Sequence, residues 1–593
     1  MKSTVMENMK ATVSRYGDKV ALKEKKEGGW RDTTWKEYYS EVRTTARAFM
    51  ALGLETERAV CILGENSKKW FLGNLAGIFA GGIPCGIYPT NSPEQCLYLA
   101  ENSRANIIVV ENAAQLAKIK KIKSALPDLK AVVLMNGKDD DEGIHPWESL
   151  PAIASRISES TLDERIDGQS PDGCCTLIYT SGTTGNPKGV MISHDNITWT
   201  SGQLINTNNG NHEDHILSYL PLSHIAEQII SLHAPILVGS TTWFAESMEK
   251  IGENLKEARP TVFAGVPRVW EKIQSKILAA DAGNSWLKRK IFSLARQEGL
   301  KAGYAFSEGR QKPFLYDFFD KTVYSKIKAE LGLDRCRMFV TTAAPISFQT
   351  LEFFISIGIP MTEVYGMSEC TGPAVVSVPK PKRFKIGWAG PAMAGTELKL
   401  APDGEILLRG RHVFMGYFRN EAATKEAITP DGWLHTGDIG EMDHEGFVKI
   451  TDRKKELIIT SGGENIAPQV LEGKLRAISS ISQVVVIGDH KNYLTALITL
   501  DSDMLAQEAK AAGSPARTIS EASQCPIFRN HMERQIDAVN KSLARVQTIK
   551  KFVILPENFS VEGGELTHTM KIKRRIIHQK YAGEIDHMYS PNS

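Results

Sequence analysis

The spacing of hydrophobic positions alternates between two periods over the first 170 residues of the chain. Apolar residues recur at helical spacing over 35–51 and 67–80, whereas short continuous apolar runs occupy 59–63, 106–110 and 131–134. Helical spacing predicts helices with one face on a core, and short apolar runs predict buried strands. Their alternation predicts βαβ units and a mostly parallel sheet.

A second alternating series follows between about residues 171 and 375. Helix-type and strand-type patterns again take turns, which favours a second sheet of the same kind. The predicted strands are 216–220, 236–244, 261–265, 338–342 and 361–365, and the predicted helices are 248–257, 267–279 and 347–357.

A longer helical insertion at 281–331 interrupts this second series. It mixes aromatic residues with a short basic run, namely Trp286, Phe292, Phe314 and Phe318 with Lys288, Arg289 and Lys290. A stripe of this kind can contact a membrane surface. More often it is core with a solvated face, and we favour the core interpretation.

From about residue 375 the pattern changes to short strands separated by Gly and Asp turns. The runs 404–410 and 443–450 predict a small β-rich subdomain. After residue 456 a last unit has predicted strands near 484–487 and 494–500 and a helix that ends near Val546.

Composition narrows the class of protein. A chain of 593 residues is too long for one core, and 42% hydrophobic with 24% charged residues is ordinary for a globular protein. The net charge of +2 argues against a nucleic-acid partner.

The eight cysteines show no CxxC pair or metal-ligand spacing, and residues 1–16 lack the apolar region of a secretory signal. We therefore expect reduced thiols and a cytoplasmic protein.

The segment YTSGTTGNPKGV at 179–190 carries the strongest local chemical signal. It follows an apolar run that suits a buried strand, and it combines hydroxyl side chains, glycines and Lys188. Glycines let several backbone N–H groups point to one spot, and the hydroxyls and the lysine add donors and positive charge, so the segment predicts a phosphate cradle. It fits neither the Walker loop nor Gly-x-Gly-x-x-Gly. The alternative is a polar surface loop.

Four single residues elsewhere have both a functional and an ordinary interpretation. Glu369 is either a site carboxylate or a helix-start carboxylate. Asp438 suits either a grip on vicinal hydroxyls or a plain turn. Arg453 and Lys571 are either site cations or surface charges. Taken singly, none of the four decides a function.

Taken together and in this order, these segments resemble the adenylate-forming superfamily of acyl-CoA synthetases, luciferases and peptide-synthetase adenylation domains. The resemblance covers almost the full chain. The matching segments are YTSGTTGNPKGV (179–190), PLSH (221–224), TAAP (342–345), EVYGMSE (363–369), GWLHTGD (432–438), DRKKE (452–456) and LTHTMKI (566–572).

Other segments narrow the resemblance. GVPRVWEK at 265–272 and the insertion after it are similar to long-chain fatty acid:CoA ligases, and YPTNSPE (88–94) with AENS (100–103) is similar to their bubblegum-type subgroup. The chain also departs from the common pattern. Many members have glycine in place of Met570, proline in place of His568 and aspartate in place of Lys455.

The resemblance implies an α/β fold in two parts. Its large N-terminal domain, 1–452, would contain stacked βαβ-type sheets and the small β-rich subdomain, with subdomain limits at about 1–170, 171–375 and 376–452. A smaller, mobile α+β C-terminal domain, 453–593, would carry the catalytic lysine.

The resemblance also implies a first half-reaction in which a long-chain fatty carboxylate attacks ATP to give acyl-AMP and pyrophosphate. Glu369 is expected to hold Mg²⁺, Lys571 to bridge the carboxylate and the α-phosphate, and His224 to act as a gate rather than a base. Asp438 is expected on the ribose with Arg453 beside it. The β- and γ-phosphates are expected at Thr180, Ser181, Gly182, Thr183, Thr184, Gly185, Asn186, Pro187 and Lys188, and the adenine at Ala343, Glu363, Val364, Tyr365, Gly366, Met367 and Ser368.

In the second half-reaction the thiol of coenzyme A takes the acyl group. The resemblance implies rotation of the C-terminal domain about Lys455, which would withdraw Lys571 and present Gly462, Gly463 and Glu464 to the thiol. Residues 541–580 hold nine Lys or Arg against three Glu. This excess suits either coenzyme A phosphates or an anionic membrane, or it is a solvated basic face.

Two rival functions stay open at this point. One is a fatty acyl-AMP ligase that passes its product to a carrier-protein thiol. The other is a non-catalytic nucleotide-binding scaffold, which would require Lys571 or Glu369 to be lost. Both residues are present.

Overall fold

The computed structural model describes residues 2–180, 186–462, 464–567 and 570–590. Within them, two eight-stranded sheets form most of the N-terminal part. The strand order across the first sheet is Gly416–Tyr417, Lys188–Ser193, Cys174–Thr180, Ile83–Ile87, Ala59–Leu63, Ala105–Val110, Ala131–Leu134 and Ile144–Pro146. All its neighbours are parallel except the pairs made by Lys188–Ser193, which are antiparallel.

The second sheet is parallel through its centre and ends in an antiparallel strand on each edge. Its order is Gly372–Val376, Met361–Met367, Met338–Thr341, Val262–Gly265, His215–Ser218, Thr241–Phe244, Val20–Lys26 and Gly29–Thr34. Because its central strands are parallel, their carboxyl ends meet at one edge of the sheet, where ligands bind in open α/β sheets.

Helices cover these sheets. The helix Trp35–Ala51 begins with a capping box in which Thr34 and Glu37 each bond the other's backbone N–H. Trp35, Phe49 and Trp70 are fully buried in the main core. The other helices of the N-terminal part are Val5–Tyr16, Lys68–Phe79, Pro93–Asn102, Ala113–Ile122, Leu150–Ala154, Glu159–Asp167, His194–Asn208, Ile225–Glu227, Ala234–Val238, Ile251–Ala258, Pro267–Ala282, Trp286–Ser307, Tyr316–Phe319, Ser325–Glu330, Phe348–Ser356 and Glu421–Ala427.

A four-stranded antiparallel sheet follows, with the order Glu397–Leu400, Glu405–Arg409, Leu434–Met442 and Val448–Arg453. It matches the predicted β-rich subdomain. Within the run 443–450 the turn comes first and the strand begins at Val448. The Asp443 carboxylate accepts bonds from the N–H groups of Glu445 and Phe447, 2.9 Å each, and closes the turn.

The C-terminal part is built on a three-stranded sheet, Ile481–Ile487, Leu494–Leu500 and Ile549–Ile554. Val484 and Val486 pack in one core cluster and Val485 and Ile487 in another, so both faces of the sheet are covered. The remaining elements are the strands Ile458–Ile459 and Asn465–Ile466 and the helices Pro468–Leu475, Ser502–Ala512, Ile519–Gln524, Pro526–Asn540, Arg574–Lys580 and Ala582–Tyr589. The helix expected to end near Val546 ends at Asn540.

One predicted strand is replaced by two elements. The run 236–244 contains the end of the helix Ala234–Val238, then Gly239, then the strand Thr241–Phe244. A short apolar run has no period that separates helix from strand. Gly239 ends the helix at φ +78°, and a Cβ there would lie 2.4 Å from the Tyr16 ring, so only glycine fits this turn.

The insertion is helical, as predicted, but the core interpretation is wrong for three of its aromatic residues. Trp286, Phe314 and Phe318 are 72%, 97% and 60% exposed. Phe292 alone among the four aromatics is partly buried against a core cluster. Among the described residues, no helix is both long enough and apolar enough to span a membrane.

Candidate active site

A cavity of about 2090 Å³ opens between the second sheet, the four-stranded sheet and the C-terminal part. It lies at the carboxyl ends of the parallel strands His215–Ser218, Val262–Gly265 and Met338–Thr341, the edge that the topology favours. Residues from all seven matched motifs line it, including His224, Glu369, Asp438 and Lys571.

The phosphate segment enters this cavity from both of its ends. Thr180 and Lys188 face each other across the antiparallel strands Cys174–Thr180 and Lys188–Ser193. Thr180, Asn186, Pro187 and Lys188 line the cavity, and the Pro187 carbonyl accepts a bond of 3.0 Å from the Tyr98 hydroxyl. The predicted phosphate contacts at Ser181, Gly182, Thr183, Thr184 and Gly185 lie outside the described residues.

Tyr417 connects the phosphate segment with the expected metal carboxylate. The ammonium of Lys188 lies 4.8 Å from the centroid of the Tyr417 ring, and the Tyr417 hydroxyl donates a bond of 2.8 Å to Glu369 Oε1. Glu369 is buried, and this burial raises the pKa of its carboxyl even though the tyrosine donates to the charged form. Sequence reasoning missed Tyr417, because it lies in a two-residue strand without a distinctive pattern.

Asp438 and Arg453 face each other across two antiparallel strands, Leu434–Met442 and Val448–Arg453. Arg453 Nε lies 3.3 Å from Asp438 Oδ1, and the Tyr365 hydroxyl donates a bond of 2.8 Å to Oδ2. Burial raises the pKa of Asp438, and Arg453 opposes this rise. The expected ribose and adenine residues are therefore joined in one hydrogen-bonded group.

The adenine-side segments have two backbone features that depend on residue type. Ala343 lines the cavity in a left-handed conformation, φ +75°, which is uncommon for a residue with a Cβ and is strain of the kind found at functional sites. A Cβ on Gly366 would lie 1.8 Å from the Gly372 carbonyl oxygen, so glycine is required where the antiparallel strands Met361–Met367 and Gly372–Val376 shift register. Burial raises the pKa of Glu363 to about 7. Val364, Met367 and Ser368 also line the cavity.

Lys571 extends from the C-terminal part into this group of charges. Its segment is folded tightly, since the Thr567 N–H donates to the Lys571 carbonyl at 2.7 Å and the Lys571 N–H to Thr567 Oγ1 at 2.9 Å. Burial lowers the pKa of Lys571 to about 8, and Arg453 acts in the same direction, whereas Asp438 and Glu369 oppose it. Burial also lowers the pKa of His224 to about 4, with a contribution from the Lys571 charge.

The structure describes two of the three residues that depart from the family pattern, Met570 and Lys455. Met570 has φ +62°, so it stands in the left-handed region where glycine is favoured. His568 lies outside the described residues. Lys455 is exposed in the turn Lys454–Glu456, while its neighbour Lys454 forms ion pairs with Asp403 at 2.7 Å and Glu405 at 2.9 Å.

The residues expected on the coenzyme A side are not brought into the cavity. Gly462 and Glu464 are exposed and do not line it, and Gly463 lies outside the described residues. The N–H of the adjoining Ser461 donates to the Lys491 carbonyl at 3.0 Å, within the C-terminal part. This arrangement assembles Lys571 with the expected ATP site and leaves the expected thiol side apart.

A second region of the same cavity is apolar, and we call it the apolar arm. One wall is the face of the second sheet, and the other is formed by two helices and the π-helical turn Gln228–His233. Its apolar lining residues are Leu204, Ile205, Ile216, Ile230, Ala234, Val238, Val262, Ala264, Met338 and Val340. Because side chains alternate along a strand, Val262 with Ala264 and Met338 with Val340 share this face. Sequence reasoning did not find the arm, since its residues come from distant segments.

A buried carboxylate behind the PLSH segment was also missed. Glu227 Oε1 accepts a bond of 2.6 Å from the Ser218 hydroxyl, and the Asn66 amide donates to Ser218 Oγ at 2.9 Å. Burial raises the pKa of Glu227 to about 7. Glu227 does not itself line the cavity, and its bond joins the residues after the PLSH segment to the end of the strand His215–Ser218.

Comparison with known proteins identifies the class that this fold and site define. Residues 9–418 match the family described as AMP-binding enzyme, and residues 455–593 match the AMP-binding enzyme C-terminal domain. The chain therefore belongs to the AMP-binding enzyme family.

Individual relatives are similar over nearly the whole chain. The chain is 43% identical to "Long-chain-fatty-acid--CoA ligase ACSBG2" of Gallus gallus, over 99% of this chain and 81% of that protein. It is 39% identical to the ACSBG2 ligase of Homo sapiens, over 99% and 92%, and 39% identical to "Long-chain-fatty-acid--CoA ligase ACSBG1" of Bos taurus, over 99% and 85%.

Solved structures share the fold at lower identity. ATP-bound MatB from Rhodopseudomonas palustris superposes with a TM-score of 0.72 at 21% identity, over 98% of this chain and 99% of that chain. The anthranilate CoA ligase AuaEII, in complex with anthranoyl-AMP, gives 0.71 at 18% identity, over 98% and 97%. These comparisons confirm the predicted α/β fold, with a large N-terminal domain and a smaller C-terminal domain.

Proposed function

We propose that this chain is an ATP-dependent long-chain fatty acid:CoA ligase. It joins a fatty carboxylate to AMP with release of pyrophosphate, and then transfers the acyl group to coenzyme A with release of AMP. The observation that carries the proposal is one cavity in which Lys571, Glu369 and the Asp438–Arg453 pair adjoin the apolar arm. The apolar lining of the arm suits a hydrocarbon chain, and the cluster of charged side chains suits a nucleotide.

The first half-reaction brings a carboxylate towards a phosphate, so its barrier is largely electrostatic. Lys571 carries the positive charge that bridges the fatty carboxylate and the α-phosphate. Its pKa of about 8 leaves it mostly protonated at neutral pH. Lys188 and the phosphate segment hold the pyrophosphate that leaves, and Asp438 accepts from the ribose hydroxyls with Arg453 holding the carboxylate in place.

Magnesium fits this site as an ion that keeps most of its own water and phosphate ligands. Glu369 offers one buried carboxylate, of which Oε1 already accepts from Tyr417. The described residues contain no group of three or more His, Cys, Asp or Glu that could hold a metal by themselves. A single carboxylate suffices for Mg²⁺, which when bound would neutralise phosphate charge.

The second half-reaction needs a different arrangement of the same parts. We place the division between residues 1–452 and 453–593, with rotation about Lys455. The rotation would withdraw Lys571 and bring Gly462, Gly463 and Glu464 towards the thiol. It would also break the bond of 3.2 Å from Arg268 Nη1 to Ser482 Oγ, which joins the two parts.

The test of the proposed function is AMP release with palmitate and ATP, measured with and without coenzyme A. We expect a thioester whose formation depends on coenzyme A. A fatty acyl-AMP ligase for a carrier protein would instead form palmitoyl-AMP and no such thioester. A non-catalytic scaffold would bind ATP and release neither pyrophosphate nor AMP. The presence of Lys571 and Glu369 in one cavity supports an enzyme over the scaffold.

The exposed residues of the insertion support peripheral contact with a membrane. Trp286, Phe314 and Phe318 present large apolar area. Lys288 and Lys290 are exposed, the Lys290 ammonium lies 5.3 Å from the centroid of the Trp286 ring, and both lysines suit anionic lipid. The test is co-sedimentation with vesicles of phosphatidylserine and phosphatidylcholine.

We expect the double variant Phe314→Ser and Phe318→Ser to lose most vesicle binding. Met248→Ser, which removes another exposed apolar side chain outside the insertion, should keep it. Equal binding of the double variant and the unchanged protein would contradict this contact.

A further inference from the structure

The apolar arm ends at a polar group beside the amino ends of the strands, at the edge of the second sheet opposite the expected ATP site. Its lining residues follow the strands His215–Ser218 and Met338–Thr341 back towards their amino ends. Asp214 immediately precedes the first of these strands and Arg337 the second, and both line the cavity. From Arg337 to Thr342, at the carboxyl end, the sheet spans about 16 Å at roughly 3.3 Å per residue.

Arg337 connects both walls of the arm at this end. Its Nη2 lies 2.6 Å from Asp214 Oδ2 on the sheet side, and its Nη1 donates a bond of 2.6 Å to the Asn208 carbonyl. Asn208 is the last residue of the helix His194–Asn208, so the arginine also stands at the negative end of a helix. The contacts to two different elements fix the guanidinium across the gap.

Asp214 is held independently of the arginine. Its Oδ1 accepts from the Thr261 hydroxyl at 2.7 Å and its Oδ2 from the Asn211 N–H at 2.9 Å. The Asp214 side chain is 7% exposed, whereas that of Arg337 is 36% exposed. The Arg337 side chain thus lies between the arm and solvent. Without it, the arm would open to the surface at this end.

We propose that the Arg337–Asp214 ion pair closes the outer end of the apolar arm and sets the upper limit of acyl-chain length. A chain short enough to end among Leu204, Val238 and Met338 buries its methyl end against apolar groups. A longer chain must place methylenes against a hydrogen-bonded ion pair, and it has to displace or desolvate those charges. Arg337 and Asp214 are therefore specificity-determining residues.

This inference rests on the proposed function, and its test separates the two. The experiment measures kcat/KM for thioester formation with palmitate and with lignocerate, a much longer saturated acid. We expect the unchanged protein to prefer palmitate and the Arg337→Ala variant to improve the lignocerate-to-palmitate ratio by at least about tenfold, the lower end of the effect that one methylene has in an apolar pocket. Arg337→Lys keeps a charge at this position and should stay close to the unchanged protein.

The matched control is Arg335→Ala, which removes an exposed arginine two positions away that does not line the cavity. It should leave the ratio unchanged. A second measurement, calorimetric binding of the two acids without ATP, gives the same ratio from dissociation constants and does not depend on catalysis.

An unaltered ratio in Arg337→Ala, with an unaltered unfolding temperature, would overturn the inference. If the variant unfolds, Ala234→Phe tests it instead, because bulk inside the arm should lower activity on palmitate more than on a medium-chain acid such as octanoate. Equal losses on both acids would overturn it. Absence of any thioester in the unchanged protein would refute the proposed function, while the binding ratio would still decide the role of Arg337.

Discussion

Lys571, in the C-terminal part, lies close enough to His224, in the N-terminal part, for its charge to help lower the pKa of that imidazole. The two residues are far apart in sequence and belong to different motifs. Their proximity means that, in this conformation, the Lys571 amine lies beside the residues that we propose to bind ATP. The expected thiol-side segment, in contrast, remains outside the cavity. The structure therefore matches the arrangement that we propose for the first half-reaction.

Removal of the Tyr417 hydroxyl should slow the first half-reaction. Tyr417→Phe keeps the ring beside Lys188 but removes the side-chain hydroxyl that donates to buried Glu369. Hydrogen bonds to charged groups contribute about 1.5–3 kcal/mol, so pyrophosphate exchange should fall by about tenfold to a hundredfold.

The matched control for this variant is Tyr304→Phe. It removes a comparable bond of 2.5 Å to the Glu352 carboxylate, outside the cavity. Equal rates of pyrophosphate exchange in Tyr417→Phe and Tyr304→Phe would rule out a role for Tyr417.

The pKa of Lys571 predicts a basic limit to the first half-reaction. The pKa is lowered from its usual value to about 8, so the ammonium is present below that pH and is lost above it. We expect kcat/KM for acyl-AMP formation to fall as pH rises through about 8. Lys571→Arg keeps its charge over this range, so its lower activity should lack the decline. A decline of the same shape in both proteins would assign the titration to another group.

Because Met570 has a left-handed backbone conformation, we predict that a residue's ability to adopt this conformation matters more at position 570 than the chemistry of its side chain. Met570→Val places a β-branched residue at φ +62°, where it is an outlier, and should cost about 1–2 kcal/mol in the adenylation conformation. Acyl-AMP formation should fall by about tenfold. Met570→Gly, which accepts this conformation, should retain activity. A loss in the glycine variant larger than in the valine variant would refute the backbone explanation.

Gly366 should tolerate no side chain. A Cβ there would lie 1.8 Å from the Gly372 carbonyl oxygen, so Gly366→Ala must separate two strands of the site. We expect a loss of about 1–3 kcal/mol in the free energy of unfolding, together with loss of adenylation. Gly202→Ala, in the helix His194–Asn208 with open space around it, should be stable. Similar unfolding curves for the two variants would contradict this packing.

The sequence predicted most of the fold because its local patterns were consistent with the tertiary structure. The helix Trp35–Ala51 and the strands Ala59–Leu63 and Ala131–Leu134 lie where their periods placed them. The error at 236–244 arose where an apolar run fits either type and only the Gly239 turn, set by contact with Tyr16, decides. The prediction that Trp286 and Phe314 are buried was wrong. The spacing of apolar residues shows that they share one face of a helix, but it does not show whether another element covers that face.

The candidate site was predictable to the extent that its residues lie in compact motifs. Lys188, Glu369, Asp438 and Arg453 line one cavity, as the resemblance implied. Tyr417 was not predictable, because its role comes from strand pairing across more than two hundred residues. The apolar arm and the Arg337–Asp214 pair depend on which distant side chains meet, and no local pattern encodes that.

The most direct test of the account compares the two half-reactions in Lys571→Ala. We expect acyl-AMP formation from ATP and palmitate to fall by about a hundredfold to a thousandfold, because the variant loses the cation among Asp438, Glu369 and Arg453. Thioester formation from supplied palmitoyl-AMP and coenzyme A should be largely spared, and Lys550→Ala, at an exposed lysine, should affect neither. Equal losses in both half-reactions of Lys571→Ala would contradict the assignment of this lysine to the first step alone.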